Sequence, residues 1–460
     1  MSEREFDVIV IGAGPAGEVF AARIAASGHS TAIVESHLLG GECSYYACMP
    51  SKALLRPGEL VEEAERVPGV REACPGDLNV AAVLLRRDEV IGNFDDSAQA
   101  DWLEDRGVTL VRAHGRLEGE RQVRVGDELL TARRAVVIAT GTLALVPPIP
   151  GLREAKPWSN REATTSSEVP PRLLVLGGGV VGCELAQAFA SLGSQVTLVE
   201  GAPTIVSREE PFVAAELAQA LRETHGVTLL EGANVTAVAR PQEGGEVTMT
   251  LEGGGELVGD ELLVSIGRRP LTDDIGLETV GLEPGRYLEV DDRMQVQGHP
   301  WLYAIGDANG RSLLTHSGKY QARILSLIFD GDAQVRTRQD GPGVPRVIFT
   351  DPQVAAVGMT EAAARQAGID VVTVSHPTSG TAGASFVGRN TLGTTQLVID
   401  REREIVVGAT FVGFEVADML QAATIAVVNE IPIAGLWESI APFPTRSEVW
   451  LRLLEAYEAR

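Results

Sequence analysis

Two stretches of the sequence repeat one pattern of strand, glycine-rich turn, helix and strand. They are "FDVIVIGAGPAGEVFAARIAASGHSTAIVE" and "PRLLVLGGGVVGCELAQAFASLGSQVTLVE". In each, a β-branched apolar run meets closely spaced glycines, a helix-period stretch ends at a glycine (Gly28 or Gly193), and a second apolar run ends in glutamate. This order is typical of a βαβ unit. The repeat therefore predicts an α/β fold with two Rossmann-like dinucleotide-binding domains.

The first glycine-rich turn has the spacing of a phosphate-binding loop. Gly12 lets the chain turn, Gly14 admits a pyrophosphate against the backbone, and Gly17 lets the helix lie close to the strand. The phosphate is expected at the helix N-terminus, where unsatisfied N–H groups favour negative charge. Glu35 follows Gly17 by 18 residues (35 − 17) and is placed to accept hydrogen bonds from a ribose.

The second turn repeats this arrangement with Gly177, Gly179, Gly182 and, 18 residues later (200 − 182), Glu200. A carboxylate there repels a 2′-phosphate and accepts from a 2′-hydroxyl. The following "GAPTIVS" contains no Arg or Lys, so NADH is expected rather than NADPH. Two dinucleotide sites in one chain indicate a flavin that exchanges hydride with a nicotinamide.

The 460 residues are too many for one core and predict several domains. A proline-rich connection, "ALVPPIPGL", suggests a border near residue 150, and the chain changes character again near Gly341. We expect a first nucleotide-binding segment at residues 1–150 and a second at 151–270. A return to the first domain is expected at 271–341, and a separate α+β domain at 342–460.

Charge and cysteine usage limit the partners. The net charge of −24 argues against nucleic acid and anionic membranes, which require a positive face. No stretch reaches the roughly 20 apolar residues of a membrane span, and the apolar run that Gly12 ends is too short for a signal peptide. Four cysteines are too few for a disulfide framework. A cytoplasmic protein is expected.

Cys43 and Cys48 stand five positions apart in "GGECSYYACMPSK". Zinc usually takes four ligands, and here only His37 lies nearby, so no metal is expected. On an ideal helix the two Cα atoms would be about 7.5 Å apart, beyond the roughly 6.8 Å limit for a disulfide. A bridge therefore needs a distorted helix, to which Pro50 contributes. A buried pair of thiols is the alternative.

Seven segments, in order, resemble the class I flavoprotein disulfide reductases of the dihydrolipoamide dehydrogenase, glutathione reductase and mercuric reductase type. They are "VIVIGAGPAG", "GGECSYYACMPSKALL", "ATGT", "GGGVVGCELA", "SIGRRP", "YAIGDA" and "FTDPQVAAVGMTE". The resemblance implies FAD in the first nucleotide-binding domain, NAD(P)H in the second, and a homodimer formed by the C-terminal domain. It also implies a redox-active Cys43–Cys48 disulfide that passes electrons to a small-molecule acceptor.

Individual roles follow from the same resemblance. Asp307 is expected to hold the ribityl chain of FAD, and Lys52 and Glu184 match an ion pair beside the flavin, although a solvated lysine and an ordinary helical glutamate are the alternatives. His316 lies in a segment that passes near the flavin, with a structural histidine as the other reading. The matching segments add further cofactor-binding candidates, Gly41, Thr140, Gly141 and Gly267.

The two redox cysteines are expected to differ. Cys48 is the thiol nearer the flavin by family pattern, and Cys43 meets the acceptor. The position of Cys43 near a helix N-terminus is expected to lower the pKa of its thiol. Cys74 and Cys183 are interpreted as structural.

One departure from the family pattern bears on the acceptor. Related reductases carry "HPT…SE" near the C-terminus, and its catalytic histidine, held by the glutamate, serves the thiol of the other subunit across the dimer, whereas this chain reads "APFPTRSEVW". Phe443 occupies the histidine position, and Glu448 is either a replacement base or a packed carboxyl. Tyr45 and Tyr46 also depart, and either narrow the thiol pocket, present an aromatic wall, or simply pack.

The expected acceptor is therefore unusual: a low-pKa thiol compound, a quinone or a metal ion. The alternatives are a dihydrolipoamide dehydrogenase that tolerates Phe443, a quinone or metal reductase acting directly from the flavin, and a redox-sensing flavoprotein without turnover.

Overall fold

Both repeated stretches fold as the sequence pattern predicts in the computed structural model, which describes residues 3–74, 76–338, 340–341 and 343–460. Each begins with a strand whose last four residues are buried, because β-branched side chains suit a sheet covered on both faces. Each helix starts directly after the middle glycine of its turn, at Pro15 or Val180, and ends at Ala26 or Ser191, two residues before the next glycine. The two predicted βαβ units are therefore present.

The strands that the structure assigns have the following bounds: β1 Glu3–Ile11, β2 Thr31–Glu35, β3 Val108–Arg112, β4 Gly115–Gly119, β5 Gln122–Val125, β6 Glu128–Ile138, β7 Thr142–Ala144, β8 Arg172–Leu176, β9 Gln195–Glu200, β10 Thr228–Glu231, β11 Val235–Ala239, β12 Val247–Leu251, β13 Glu256–Gly259, β14 Glu261–Val264, β15 Arg268–Pro270, β16 Leu302–Ala304, β17 Arg346–Ile348, β18 Gln353–Gly358, β19 Val371–Pro377, β20 Thr394–Asp400 and β21 Ile405–Gly413.

The α-helices are α1 Pro15–Ala26, α2 Gly41–Tyr45, α3 Cys48–Arg66, α4 Val80–Val90, α5 Ser97–Glu104, α6 Asn160–Thr165, α7 Val180–Ser191, α8 Pro211–Glu223, α9 Thr315–Phe329, α10 Glu361–Gln366, α11 Leu420–Val428, α12 Ile433–Trp437 and α13 Val449–Glu458. Short 3₁₀ turns lie at Arg71–Ala73, Gly92–Phe94, Leu277–Val280, Gly306–Asn309, Gly383–Phe386 and Arg446–Glu448.

The chain divides into two compact units. The first consists of Met1–Pro50, Asp88–Leu145 and Gly267–Val344. Its main sheet has the order β3-β2-β1-β6-β5-β4, with β16 also paired to β6. Strands β3, β2, β1, β6 and β16 run parallel to one another. Strand β5 pairs antiparallel with both β6 and β4. The carboxyl ends of β1, β2 and β6 therefore lie at one edge, where a nucleotide binds in such sheets.

The second unit consists of Ser51–Arg87, Val146–Ile266 and Pro345–Arg460. It contains a parallel sheet of order β10-β9-β8-β14, an antiparallel sheet β11-β12-β13, and a five-stranded antiparallel sheet β17-β18-β21-β20-β19. One apolar core lies around β8, β9, α7 and α8, and another lies between the five-stranded sheet and helices α11 to α13.

The predicted fold class is confirmed, with two Rossmann-like parallel sheets and an α+β C-terminal region. The compact units do not coincide with the predicted domain segments, because residues 51–87 and 345–460 fall in one unit with the second nucleotide-binding fold. The domain boundaries from the sequence stay a prediction.

Candidate active site

The first glycine-rich turn closes tightly against its own sheet. Gly12 has φ +101°, and a Cβ built there would lie 2.4 Å from the carbonyl oxygen of Ala139. A Cβ at Gly17 would lie 2.0 Å from the carbonyl oxygen of Gly12. At Gly14, by contrast, nothing lies within 4 Å of a built Cβ. Two of the glycines thus serve close approach within the fold, and the middle one leaves room for a ligand.

The carboxylate of Glu35 is oriented by two backbone N–H groups. Its Oε2 accepts from Ala13 N–H at 2.7 Å, and its Oε1 accepts from His37 N–H at 2.8 Å. The side chain is therefore fixed beside the turn. Because each carboxylate oxygen has a second lone pair, Glu35 can still accept from a ribose hydroxyl.

The second turn repeats this construction. A Cβ at Gly177 would lie 2.7 Å from Ser265 O and one at Gly182 would lie 1.9 Å from Gly177 O, whereas Gly179 has only Ser265 O, at 4.0 Å. The carboxylate of Glu200 accepts from Gly178 N–H at 2.6 Å and from Ala202 N–H at 2.7 Å. The two glutamates thus occupy equivalent positions in the two nucleotide-binding folds.

A chain of polar contacts surrounds Asp307 in the first unit. Thr142 Oγ1 donates to Asp307 Oδ2 at 2.7 Å and accepts from Arg268 Nε at 2.6 Å. Arg268 Nη2 also lies 3.1 Å from Glu42 Oε2. Burial raises the pKa of the Asp307 carboxyl, and the hydrogen bond from Thr142 and the charge of Arg268 oppose this. The predicted cofactor acid is therefore linked to the residue next to Cys43.

The remaining predicted cofactor residues lie in the same unit. Gly41 has φ +54°, and its built Cβ would lie 3.2 Å from Gly14 Cα, so the cysteine segment lies against the first turn. Gly141 (φ +76°) and Gly267 (φ +136°) have nothing near a built Cβ. Thr140 Oγ1 is buried without a hydrogen-bond partner among the described residues. These features fit the binding of a dinucleotide with many polar atoms, such as FAD.

The two cysteines are separated by a break in the helix. Helix α2 ends at Tyr45, Tyr46 has φ −131°, and α3 begins at Cys48. The distortion expected from the five-residue spacing is therefore present. Pro50 is not its cause, because it lies in the first turn of α3, where a missing N–H is tolerated.

Both cysteines carry thiols in the structure. The pKa of Cys43 is raised, first by a hydrogen bond with Cys48 and then by burial, while Thr315 and Lys319 act in the opposite direction. The lowered pKa expected from a helix N-terminus is therefore wrong for this dithiol state. Helix α2 has only five residues, and its dipole is too small to outweigh the neighbouring thiol.

Thr315 is a site residue that the sequence reasoning missed. Its Oγ1 lies 3.5 Å from Cys48 Sγ at the start of α9. His316 is the next residue and is exposed. Both readings of His316, flavin contact and a structural role, stay predictions. The segment "LLTHSGKYQA" indicated that this part of the chain lies near the flavin. A threonine at the start of a helix, however, gives no sign in the sequence that it also contacts a thiol.

Lys52 and Glu184 form an ion pair within the second unit. Lys52 Nζ lies 2.8 Å from Glu184 Oε2, and the side chains are 34% and 4% exposed. Glu184 Oε1 accepts from Phe349 N–H at 2.9 Å, and Lys52 Nζ lies 4.7 Å from the Phe349 ring centroid. The ion pair that the resemblance implies is therefore present, and its place beside a flavin stays a prediction.

The C-terminal segment presents Phe443 and encloses Glu448. The Phe443 side chain is 77% exposed, and the neighbouring Ile440 is 91% exposed. Glu448 is buried, and its Oε2 has no hydrogen-bond partner among the described residues. A carboxylate oxygen without a partner at such a position is costly. The glutamate is thus retained where the family histidine that it would hold is absent.

The two remaining cysteines differ from each other. Cys183 is fully buried, and its thiol donates to Gly178 O at 3.4 Å, which agrees with a structural role. Cys74 is exposed, so packing does not explain it.

In the part of the chain that the structure describes, no three His, Cys, Asp or Glu side chains are grouped to hold a metal ion. No described helix is both long and apolar enough to cross a membrane.

Two Rossmann-like folds with glycine-rich turns, together with a pair of thiols, are typical of a pyridine nucleotide-dependent flavoprotein oxidoreductase. Residues 6–322 match the pyridine nucleotide-disulphide oxidoreductase family, and residues 344–453 match the dimerisation domain of that family. The chain belongs to this family, whose members are NAD(P)H-dependent flavoprotein disulfide oxidoreductases. The match to the dimerisation domain supports a homodimer.

Characterised relatives fall in several branches. The chain is 33% identical to a dihydrolipoyl dehydrogenase of Thermus scotoductus, covering 99% of this chain and 97% of that protein. It is 30% identical to a mercuric reductase of Lysinibacillus sphaericus, over 97% and 82% of the two chains. The Cu(II) complex of RclA, an HOCl-induced flavoprotein disulfide reductase from Escherichia coli, has a TM-score of 0.86 at 25% identity, covering 98% and 99%.

Proposed function

We propose that this enzyme passes electrons from NADH through FAD to the Cys43–Cys48 pair, and from there to an acceptor that needs no proton from a C-terminal histidine. The observation that carries this proposal is the combination of a thiol pair at Thr315 with an exposed Phe443 in the histidine position. General acid–base catalysis contributes a factor of about 10²–10⁴ in rate. Its loss therefore favours acceptors that need no proton from the enzyme.

The residues present assign the binding roles. Gly12, Gly14, Glu35 and Asp307 would hold FAD, and bound FAD supplies two-electron exchange between a nicotinamide and a disulfide. Glu200 would accept from the 2′-hydroxyl of NADH. The Glu200 carboxylate is held by two backbone N–H groups and would meet a 2′-phosphate with like charge.

The remaining side chains act on charge and protons. Glu184 pairs with the half-buried Lys52 ammonium, and a positive charge there would stabilise negative charge that develops nearby. Thr315 offers a hydroxyl to Cys48 at 3.5 Å. A hydrogen bond with Cys48 and burial raise the pKa of the Cys43 thiol.

An acceptor suited to this site gives a reduced product that leaves without first taking a proton from the enzyme. A disulfide whose leaving thiol has a low pKa meets this requirement, since the thiolate leaves directly. A metal ion also meets it, and RclA, a structural neighbour, is known as a Cu(II) complex. A conventional dihydrolipoamide dehydrogenase is the second candidate, favoured by 33% identity to the Thermus scotoductus enzyme and opposed by Phe443.

An anaerobic NADH titration followed by an acceptor panel tests the proposal. Wild type, Cys43→Ser and Cys48→Ser are compared with lipoamide, a neutral aryl disulfide, a quinone and Cu(II). We expect the wild type to take up more than two electrons and to lose aryl disulfide turnover in both serine variants. Undiminished turnover in Cys43→Ser contradicts the proposal and favours transfer directly from the flavin. Reduction by NADH with no active acceptor favours a redox sensor.

A further inference from the structure

A short loop in the first unit holds a bulky residue in a backbone conformation that bulky residues rarely adopt. Gly92, Asn93 and Phe94 have φ values of +62°, +51° and +61°. Glycine and asparagine tolerate this left-handed region, but an aromatic residue there is strained. Such strain persists only where the surroundings determine the conformation, and it is often found at functional sites.

The loop is anchored to the segment that leads into the cysteine pair. Asp96 Oδ2 accepts from Leu39 N–H at 2.8 Å. The Arg112 guanidinium donates to both oxygens of Asp96, from Nη1 to Oδ2 at 2.6 Å and from Nη2 to Oδ1 at 2.8 Å. The pKa of the Asp96 carboxyl is lowered by this arginine, so the anchor is ionised near neutral pH. Phe94 is therefore held at a fixed place by the residues that follow it.

Phe94 extends an aromatic surface that begins between the two redox cysteines. Its ring stacks on Tyr45 with centroids 6.2 Å apart at an interplanar angle of 23°. It also lies 5.9 Å from the Tyr46 ring. Tyr45 is only 1% exposed and serves as the support, whereas Phe94 is 37% exposed. These ring contacts do not bury Phe94 fully, so part of its side chain is accessible to a ligand.

We propose that Phe94 and Tyr46 form an aromatic wall that binds the ring of an aryl disulfide acceptor beside Cys43. This inference rests on the proposed function, because it names the substrate class that the same dithiol reduces. Aromatic pairs prefer ring centroids about 4.5–7 Å apart, and the rings of Phe94 and Tyr46 are 5.9 Å apart. An aryl ring of the acceptor suits this wall because it adds one more pair of the same kind.

The chemistry balances without an added acid. Cys43 Sγ attacks one sulfur of ArS–SAr as its thiol proton passes to solvent, forms Cys43–S–S–Ar and releases ArS⁻. The Cys48 thiolate then attacks Cys43 Sγ, forms the Cys43–Cys48 disulfide and releases the second ArS⁻. The acceptor gains two electrons, the dithiol loses two, and the two thiol protons pass to solvent. Low-pKa aryl thiolates leave unprotonated, which agrees with phenylalanine at position 443.

Phe94→Gly removes the ring and relieves the strained backbone, so this variant is expected to fold. Asn93→Gly is the matched control, because it relieves the neighbouring left-handed residue and keeps the ring. The FAD-loaded enzyme is assayed with NADH and neutral 4,4′-dithiodipyridine, and separately with hydroxyethyl disulfide. For Phe94→Gly we expect kcat/KM for the aryl disulfide to fall by about three- to tenfold, with the aliphatic disulfide changed less than twofold. Asn93→Gly is expected to behave as wild type.

Equal losses with both disulfides, or no loss with either, overturn the aromatic wall. A similar loss in Asn93→Gly also overturns it, since the effect would then come from the loop backbone. These results are distinct from failure of the proposed function, in which the wild type would show no turnover of either disulfide that depends on Cys43. Thermal melting of both variants shows whether the ring serves stability alone, and an unchanged kcat/KM with a lowered melting temperature contradicts the proposal.

Discussion

Lys52 Nζ lies 2.8 Å from Glu184 Oε2, and Glu184 is the more deeply buried partner. The other oxygen of this carboxylate receives Phe349 N–H. A buried carboxylate is stable only when its charge and lone pairs are matched, and here a cation and a backbone donor supply the match. The pair thus joins α3, α7 and the start of the C-terminal region within the second unit.

Removal of the Glu184 carboxylate is expected to destabilise the protein. In Glu184→Ala the Phe349 N–H and the Lys52 ammonium lose their acceptor, so the free energy of unfolding should fall by about 1–3 kcal/mol. Glu184→Gln keeps one oxygen, which can accept from only one of the two donors, and should cost less than alanine. Urea unfolding followed by circular dichroism measures the difference. The exposed Glu223→Ala is the control and should remain within about 0.5 kcal/mol of wild type.

Glu18 is expected to make stability depend on pH. Burial, with the negative charges of Glu35 and Asp96, raises the pKa of the Glu18 carboxyl to about 7, while Lys319 and Gly40 N–H oppose this. The unfolded chain ionises near the ordinary value, so it binds fewer protons than the native state between about pH 4.5 and 7. Stability therefore falls as pH rises through this window, by up to about 3 kcal/mol.

Glu18→Gln should remove that dependence, because a neutral amide cannot ionise. Unfolding of wild type and variant at pH 5 and pH 8 provides the measurement. We expect the free energy of unfolding of Glu18→Gln, relative to that of the wild type, to be higher at pH 8 than at pH 5. An identical pH slope in the two proteins would show that Glu18 does not titrate in this range.

Glu200 is expected to determine the choice of nicotinamide nucleotide. Glu200→Gln keeps an oxygen for the backbone of the second turn but removes the charge that repels a 2′-phosphate. The ratio of kcat/KM for NADPH to that for NADH should rise about tenfold, which corresponds to about 1.4 kcal/mol. Glu35→Gln, at the equivalent place in the first turn, should leave this ratio unchanged. A wild-type preference for NADPH would refute the assignment.

Phe443→His should restore turnover of ordinary dithiol substrates. Glu448 is retained with a buried, unpartnered Oε2, so a histidine could be oriented by it. Reduction of lipoamide is expected to rise about 10²-fold, the lower range for general acid–base catalysis. Phe443→Ala controls for loss of bulk, and Phe443→His combined with Glu448→Gln should lose most of the gain. If Phe443→Ala gains as much, steric exclusion rather than missing proton transfer explains the wild type.

Much of the fold and the candidate site follows from local sequence patterns. The glycine spacing, the strand before it and the acid 18 residues later act within one βαβ unit, so the turns at Gly12 and Gly177 were predictable. Asp307 and the Lys52–Glu184 pair came from resemblance rather than spacing. The helix break between Cys43 and Cys48 followed from the rise per residue alone.

Contacts between distant segments decided the rest. Thr315 contacts Cys48 although the two residues are 267 positions apart in the sequence. Phe349 N–H donates to Glu184, which lies 165 positions away. The pKa of Cys43 went opposite to the prediction, because a neighbouring thiol and burial outweigh a five-residue helix. The sequence alone thus determined the two nucleotide turns and the dithiol, whose geometry is set by neighbours along the chain. Only the tertiary structure decided what surrounds each thiol and carboxylate, because their charge and protonation depend on groups that folding brings together.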